Sequence, residues 1–534
     1  MPGGLLPDAG GIGANAPKHK FAGIIMTSFA AFGGILYGYD TGVISGIQTM
    51  PNWLETFGHP VPISKTFPDG FGISSSQQSL VVSILSAGTF FGALTAAPVA
   101  DIIGRKYGII LATLVFSIGV AFQTASTALP LFVVGRVFAG LGVGLVSTLV
   151  PMYQSECAPK WIRGAVVGAY QWAITIGILL ANIVNNATKN HPNHSSYRIP
   201  IAIQLVWAAV LAAGMLFLPE SPRWLIKKHK DAAAAISLSR LTSLPPDSSE
   251  VEIELNEIRT QLQHEESLGE SSYLDCFRST ENKIRFRTLT GIFIQALQQL
   301  TGINFIFYYG TQFFQNSGIN NPFLISIATG IVNVFMTLPG MWGVERFGRR
   351  SLLLWGAAGM CVCEFIVAII GVTISVDNHS GQQALVALVC IYIAFFASTW
   401  GLVAWVVTGE IFPLNVRAKG MSLSVASNWL WNFGIGYATP YLVNPGQGNA
   451  DLGSKVFFIW GGTCFLCFAF AFFAIPEVKG LSLEQVDLVY INSTPLTSVA
   501  YRKKLIAENA RLQDELPVRQ HEEKDHDVAS IEKA

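Results

Sequence analysis

Charge is what this 534-residue sequence has least of: Asp, Glu, Lys and Arg make up 13% of it, about half the share usual in soluble domains. The formal net charge is zero, so nothing in the balance would draw nucleic acid or an acidic partner. No G-x-x-x-x-G-K-[ST] phosphate loop is present, which removes support for an ATP-driven pump or a nucleotide-dependent enzyme. Cysteine is sparse and odd in number, seven in all. The pairs at 361/363 and 464/467 lie inside apolar runs, where small buried thiols fit better than a metal site, so no metal or cofactor is expected. The Gly/Pro/Ala-rich N-terminus has no basic residue before Lys18. It does not read as a cleavable signal peptide, and the first apolar run is expected to act as the insertion signal.

Long hydrophobic runs are what the chain has in excess, with 51% of its residues apolar. Twelve runs of membrane-spanning length fall at about 21–45, 78–99, 107–128, 131–153, 164–186, 201–219, 288–315, 323–343, 351–374, 382–409, 418–441 and 455–475. The expected fold is an all-α polytopic membrane protein. With the N-terminus inside, Arg105, Lys106, Lys160, Arg163, Arg346, Arg349, Arg350, Arg417 and Lys419 fall on inner connections. The outer connections keep only Lys65, Lys189, Arg198 and Lys455, as the positive-inside rule requires. Both termini are then cytoplasmic. The sequons at Asn186, Asn193 and Asn378 fall outside as glycosylation candidates, whereas that at Asn492 falls inside.

The expected organisation is a disordered N-terminal segment over 1–20, a six-helix half over 21–222, a cytoplasmic helical linker over 223–286, a second half over 287–476 and a cytoplasmic tail over 477–534. Within the linker, Asp231–Leu241 and Glu250–Leu262 have helical composition on either side of the breaker Pro245-Pro246. The charged run HEEKDHD near the end reads as disordered beyond about residue 510. The halves repeat in their charged punctuation. Asp101-Ile-Ile-Gly104-Arg105-Lys106 matches Glu345-Arg-Phe-Gly348-Arg349-Arg350, Glu156/Arg163 matches Glu410/Arg417, and Pro219-Glu220 matches Pro476-Glu477. Three correspondences in order point to parallel duplication about an axis along the membrane normal.

The stretch Gln298 to Gly310, QQLTGINFIFYYG, places two glutamines, a threonine, an asparagine and two tyrosines inside an apolar run. An unpaired polar group there costs several kcal/mol. Gln298 and Asn304 are six residues apart and would not share a face of one ideal helix. A break at Gly302 would give two half-helices whose amides line a cavity near the midplane. Amides present donors and acceptors without net charge, which suits a neutral polyhydroxylated ligand, and Phe305, Phe307, Tyr308 and Tyr309 offer faces for a sugar ring. The competing reading is that the amides only bridge helices.

The strings GYDTGVISG (38–46), GRKYG (104–108), GRVFAGLGVG (135–144), PESPRW (219–224), QQLTGINFIFYY (298–309), ERFGRR (345–350) and PEVKG (476–480) resemble the sugar porter family of the major facilitator superfamily, closest to fungal hexose transporters. The resemblance covers about residues 20 to 490. It implies a twelve-helix alternating-access transporter of the plasma membrane, working as a single chain and carrying a monosaccharide such as glucose between its halves. It places sugar contacts at Gln171, Gln298, Gln299, Asn304, Asn333, Trp405, Asn428 and Trp429. The chain departs from the pattern in span ten, where ASTWGLVAW at 397–405 replaces the proline-rich GPGPIPW with its glutamate.

Asp40 and Arg136 lie at matching depths in spans one and four. A carboxylate that gains and loses such a partner loads and unloads a proton, and the resemblance places Asp and Arg at these positions in sugar:proton symporters. A static ion pair in a facilitative uniporter is the alternative. Glu364 is a second carboxylate within a span. Arg105, Glu156, Arg163, Glu220, Arg223, Glu345, Arg349, Glu410, Arg417 and Glu477 form an expected cytoplasmic salt-bridge gate that closes the outward-open state. Another class of protein, a membrane sugar sensor, carries the same fold with a long tail for partner recruitment; here 58 residues follow Pro476.

Overall fold

The computed structural model describes residues 21–63, 70–158, 163–267, 272–319, 321–374, 378–413, 415–446, 448–481 and 483–508. The expected disorder of the first residues and of the HEEKDHD run lies outside the described residues.

Twelve spans form in chain order. The first half contains span one (Phe21–Ala30 and Phe32–Ile47), span two (Ser75–Ile103), span three (Arg105–Ala125), span four (Leu129–Cys157), span five (Arg163–Thr188) and span six (Ser195–Phe217). The second contains span seven (Ile284–Leu300 and Ile303–Asn316), span eight (Pro322–Phe347), span nine (Arg349–Thr373), span ten (His379–Ser398 and Trp400–Glu410), span eleven (Arg417–Val443) and span twelve (Val456–Ala474). Among the described residues, eight of these are long and apolar enough to cross a membrane by length and composition alone. Spans one and seven are interrupted, and span eleven carries the buried polar residues Asn428 and Asn432. Large apolar side chains including Phe91, Leu114, Leu216, Trp355 and Phe465 stand on the outside of the bundle, where lipid rather than water surrounds them.

The halves meet where span two packs on span eleven, span five on span eight, and the second piece of span seven on span one. Spans two and eight occupy equivalent places, as do spans five and eleven, so the two-on-eleven and five-on-eight contacts are related by a two-fold operation. Within the first half, span one lies so close to span five that a Cβ on Gly38 would stand 1.9 Å from the Ile174 carbonyl. Only glycine permits that approach.

Between the halves, helices Pro222–Lys227, Asp231–Thr242 and Ser249–Ser267 bury Trp224, Leu238, Val251 and Leu255 against one another in their own small core. On the same face, Leu483–Asn492 docks under span seven. Its Asp487 pairs with the fully buried Arg287, whose guanidinium lies 4.2 Å from the centre of the Tyr490 ring. We call this the terminal face. The opposite face holds a short helix, Pro51–Phe57, and an antiparallel strand pair, His59–Pro60 with Phe71–Gly72, that the sequence did not announce.

Candidate functional site

Span seven breaks at Gly302, as its sequence suggested. Gly302 adopts φ +84°, ψ 0°, a left-handed conformation that L side chains seldom take, and a Cβ there would lie 2.6 Å from Trp460. The break frees carbonyls that the bilayer could not satisfy. Neighbouring hydroxyls take them up: Thr463 donates to Leu300 O at 2.6 Å and Tyr392 to Thr301 O at 2.7 Å.

The amides on either side of the break join one buried network. Gln298 Nε2 donates to the carbonyls of Trp400 and Gly401, both at 3.1 Å, and its Oε1 accepts from Asn428 Nδ2 at 2.8 Å. Gln299 Nε2 donates to Asn428 Oδ1 at 3.1 Å. Gln299 Oε1 accepts from Asn304 and, at 3.2 Å, from Asn432. Gln299 therefore bridges the break that separates Gln298 from Asn304. The network also holds residues that sequence reasoning passed over. Gln295 accepts from Asn428 at 2.7 Å, while Asn432 accepts from Tyr308 at 3.1 Å and from Ser86 across the halves. The signal for Gln295 and Asn432 was helical spacing, three residues before Gln298 and four after Asn428.

The remaining predicted sugar contacts surround this network. Trp429 packs edge-on against Tyr37 of the other half, with ring centres 5.7 Å apart. Gln171, half-buried on span five, and Asn333, buried on span eight, flank a hydrogen bond between the halves in which Trp172 Nε1 donates to Val334 O at 3.2 Å. Span ten breaks at Thr399 (φ −133°, ψ −91°) without the family's prolines. Trp400 donates to Leu353 O of span nine, within its own half, at 2.9 Å, and Trp405 is half-buried five residues on.

Asp40 and Arg136 are fully buried and meet at 3.1 Å, with Arg136 Nε also donating to Val81 O at 3.2 Å. Glu364, also buried, lies against Tyr392 and Cys464 beside the span-seven break, but neither carboxylate oxygen has a hydrogen-bond partner among the described residues.

The charged residues of the terminal face form two matching latches, each within its own half. Arg105 binds Glu156 through Nε and Nη2, both at 2.9 Å, Ala100 O through Nη1 at 3.1 Å, and Asp101 at 3.5 Å. Arg349 repeats the pattern with Glu410 (3.0 and 2.7 Å), Val344 O (3.1 Å) and Glu345 (3.0 Å). Glu220 and Glu477 do not pair with these arginine side chains; they accept backbone N–H groups. Glu220 takes those of Arg105 and Lys106, and Glu477 those of Arg349 and Arg350, at 3.0 to 3.1 Å. Burial nevertheless pushes the Glu220 carboxyl above its ordinary range, with the N–H groups opposing it. Arg417 donates to Phe412 O at 3.4 Å, and Arg223 is half-buried. The Arg163 side chain lies outside the described residues.

Of the glycosylation candidates, Asn193 and Asn378 are exposed in connections on the opposite face. Asn186 is half-buried in the last turns of span five, and its sequon Thr188 is buried.

Hydrogen bonds between the halves concentrate from mid-membrane to the opposite face. They include Ser45 with Thr311 (3.0 Å), Gln78 with Gln312, Asn444 to Gln78 (2.8 Å) and Asn182 to Ser326 O (2.8 Å). Two six-span halves related by a two-fold, enclosing amides at a broken helix, define a membrane transporter fold of the major facilitator type. A family model described as sugar (and other) transporter matches residues 26–490. The chain is 54% identical over 480 residues to the major facilitator-type transporter ecdD of Aspergillus rugulosus, covering 88% of this chain and 87% of that protein. It is 46% identical to the probable glucose transporter rco-3 of Neurospora crassa (90% and 80% covered). It is 44% identical to the high glucose sensor RGT2 of Saccharomyces cerevisiae, covering 88% of this chain but 60% of the sensor. Among solved structures, the proton:xylose symporter XylE bound to 6-bromo-6-deoxy-D-glucose superposes with a TM-score of 0.71 at 26% identity, covering 88% of this chain and all of that one. The chain belongs to the sugar transporter family of the major facilitator superfamily.

Proposed function

We propose that this protein carries a hexose across the plasma membrane by alternating access, with a proton exchanged at Asp40, and that its terminal face is cytoplasmic. The observation that carries the reading is the buried amide network of Gln295, Gln298, Gln299, Asn304, Asn428 and Asn432 at the span-seven break. Neutral amides offer hydroxyl groups both donors and acceptors, and in the absence of sugar they satisfy one another. Sugar binding then exchanges amide–amide for amide–hydroxyl bonds, at little cost in unpaired groups.

In this reading the present conformation is closed on the outside, because Ser45–Thr311 and Gln78–Gln312 hold the halves together there. The two arginine–carboxylate latches keep the cytoplasmic ends of each half rigid and meet as a gate when the outside opens. Arg136 supplies the counter-charge of the buried Asp40, and a movement that parts them leaves that carboxylate unpaired, which is where this reading places the proton exchange. The proton-symporter activity given for XylE supports this coupling. Asn193 and Asn378 are the better placed glycan acceptors, and one chain forms the whole pathway.

Uptake of labelled hexoses by a transport-null host, with and without a protonophore, tests the proposal. Concentrative uptake abolished by the protonophore supports symport, uptake only to equilibrium assigns a uniporter, and no uptake of any hexose overturns transport. The second reading, a membrane sugar sensor, is favoured by the 44% identity to RGT2. It expects hexose-dependent signalling without flux.

A further inference from the structure

The central network does not account for all the polar side chains between the halves. On the face opposite the termini, a cavity of about 210 Å³ lies between the ends of spans one, five, seven and eight. That is an order of magnitude above the roughly 10–15 Å³ that admits one water. Its polar wall is built mainly from amides, Gln48, Gln312, Gln315 and Asn316 among them, and its apolar wall includes Phe71 and Phe323. Its one ionised lining group, Lys189, donates to Asn321 Oδ1 at 3.0 Å and lies 4.9 Å from the centre of the Phe323 ring. No carboxylate lines the cavity among the described residues. This is the chemistry of the central network repeated nearer the surface: neutral donors and acceptors facing aromatic rings.

The cavity stands directly over the closure. Gln312, in its wall, bonds to Gln78, which also donates to Gln48 Oε1 at 3.2 Å and accepts from Asn444. One residue below, Thr311 meets Ser45. Gln312 lies eight residues beyond Asn304 on the same half of span seven, or about 12 Å along the helix. Gln48 lines this wall, is buried, and leaves its Nε2 without a protein partner.

We propose that this vestibule is a second, outer hexose-binding subsite, occupied while the path to the central amides is closed beneath it. It rests on the proposed hexose transport. A sugar bound there touches span one of the first half and spans seven and eight of the second, so it bridges the two bodies that must part for the outside to open. The subsite therefore holds a second sugar per chain, and it empties inward only when Ser45–Thr311 and Gln78–Gln312 break.

The test uses full-length protein in sealed vesicles with Leu54→Cys as a reporter on the apolar wall, and Ile73→Cys as a second reporter in case the first misfolds. A charged, membrane-impermeant thiol reagent is applied from outside, with the parent protein as the blank. External D-glucose should slow labelling about fivefold or more while L-glucose does not, and the protection should persist when Gln298→Ala removes the central contact. Adding Gln48→Leu should raise the D-glucose concentration needed for protection about fivefold or more, the effect of losing one hydrogen bond. Absence of protection at saturating D-glucose with both reporters overturns the subsite, as does protection that vanishes with Gln298→Ala or is unmoved by Gln48→Leu. Labelled hexose uptake in the same vesicles keeps the two proposals apart. Uptake without protection sinks the subsite alone, whereas no uptake of any hexose sinks the transport reading.

Discussion

Glu477 does in the second half what Glu220 does in the first: each accepts the backbone N–H groups of the first two residues of a helix that begins at the arginine of a Gly-Arg pair, at 3.0 to 3.1 Å. A carboxylate at that place caps the helix and meets the positive end of its dipole. The glycines before those arginines, Gly104 (φ +95°) and Gly348 (φ +94°), let the carboxylates come in. A Cβ on either would stand 2.3 to 2.4 Å from a carboxylate oxygen.

Gly348→Ala should therefore destabilise the protein by about 1–3 kcal/mol, from backbone strain together with the displaced cap. Gly409→Ala, where a Cβ meets nothing within 4 Å, serves as the control. Thermal unfolding of both variants in detergent decides it: equal midpoints would remove the steric reason for the Gly-Arg motif.

Gln298→Ala should weaken hexose uptake about tenfold or more, since a lost neutral hydrogen bond costs about 1 kcal/mol and a stranded partner about 1–3. The variant takes one hydrogen-bond partner from Asn428 Nδ2 and from each of the carbonyls of Trp400 and Gly401. Concentration-dependent uptake, normalised to surface expression, is the measurement. Unchanged kinetics would show that the glutamine only braces spans ten and eleven.

Asp40→Asn should abolish accumulation and proton uptake while leaving sugar exchange partly intact. One pH unit contributes about 1.36 kcal/mol and 100 mV about 2.3 kcal/mol. Together they support a sugar gradient of a few hundred-fold, which no facilitator sustains. The variant also leaves Arg136 buried without its counter-charge, a loss of about 3–5 kcal/mol, so stability is to be measured alongside. Accumulation surviving in the variant, or wild-type uptake that never exceeds equilibration under an imposed pH gradient, would make the pair purely structural.

Glu410→Lys should part the second-half latch by turning its attraction to Arg349 into repulsion. The expected result is a bias toward the inward-open state and a slower cycle, with equilibrium sugar binding less affected. Cysteine accessibility from each side reports the balance of states, and an unshifted balance would deny the latch a part in gating.

The broken helix was legible because a glycine among membrane-buried amides leaves the backbone few alternatives, and Gly302 took the one expected. Gln298, Gln299, Asn304 and Asn428 were likewise recoverable and do converge. Their exchange of donors and acceptors was not, because which amide faces which depends on helix rotation that residue spacing leaves open. In the sequence Glu220 and Glu477 look like members of a charge gate, yet their hydrogen-bond partners are backbone amides. Backbone N–H groups are anonymous in a sequence, so a carboxylate that binds them looks the same as one awaiting an arginine side chain. The direction of the latches was hidden for a related reason: duplicated acid–base sets fit pairing within halves as well as between them.

Arg287 gives the segment after span twelve a mechanical meaning. Its guanidinium sits at the root of span seven, eleven residues or about 17 Å below Gln298, and takes Asp487 and the Tyr490 ring from the tail helix as its company. Cutting the chain before Asp487 would remove both partners from that buried cation directly beneath the amides at the span-seven break. Truncations and fusions should accordingly leave Asp487 and Tyr490 in place.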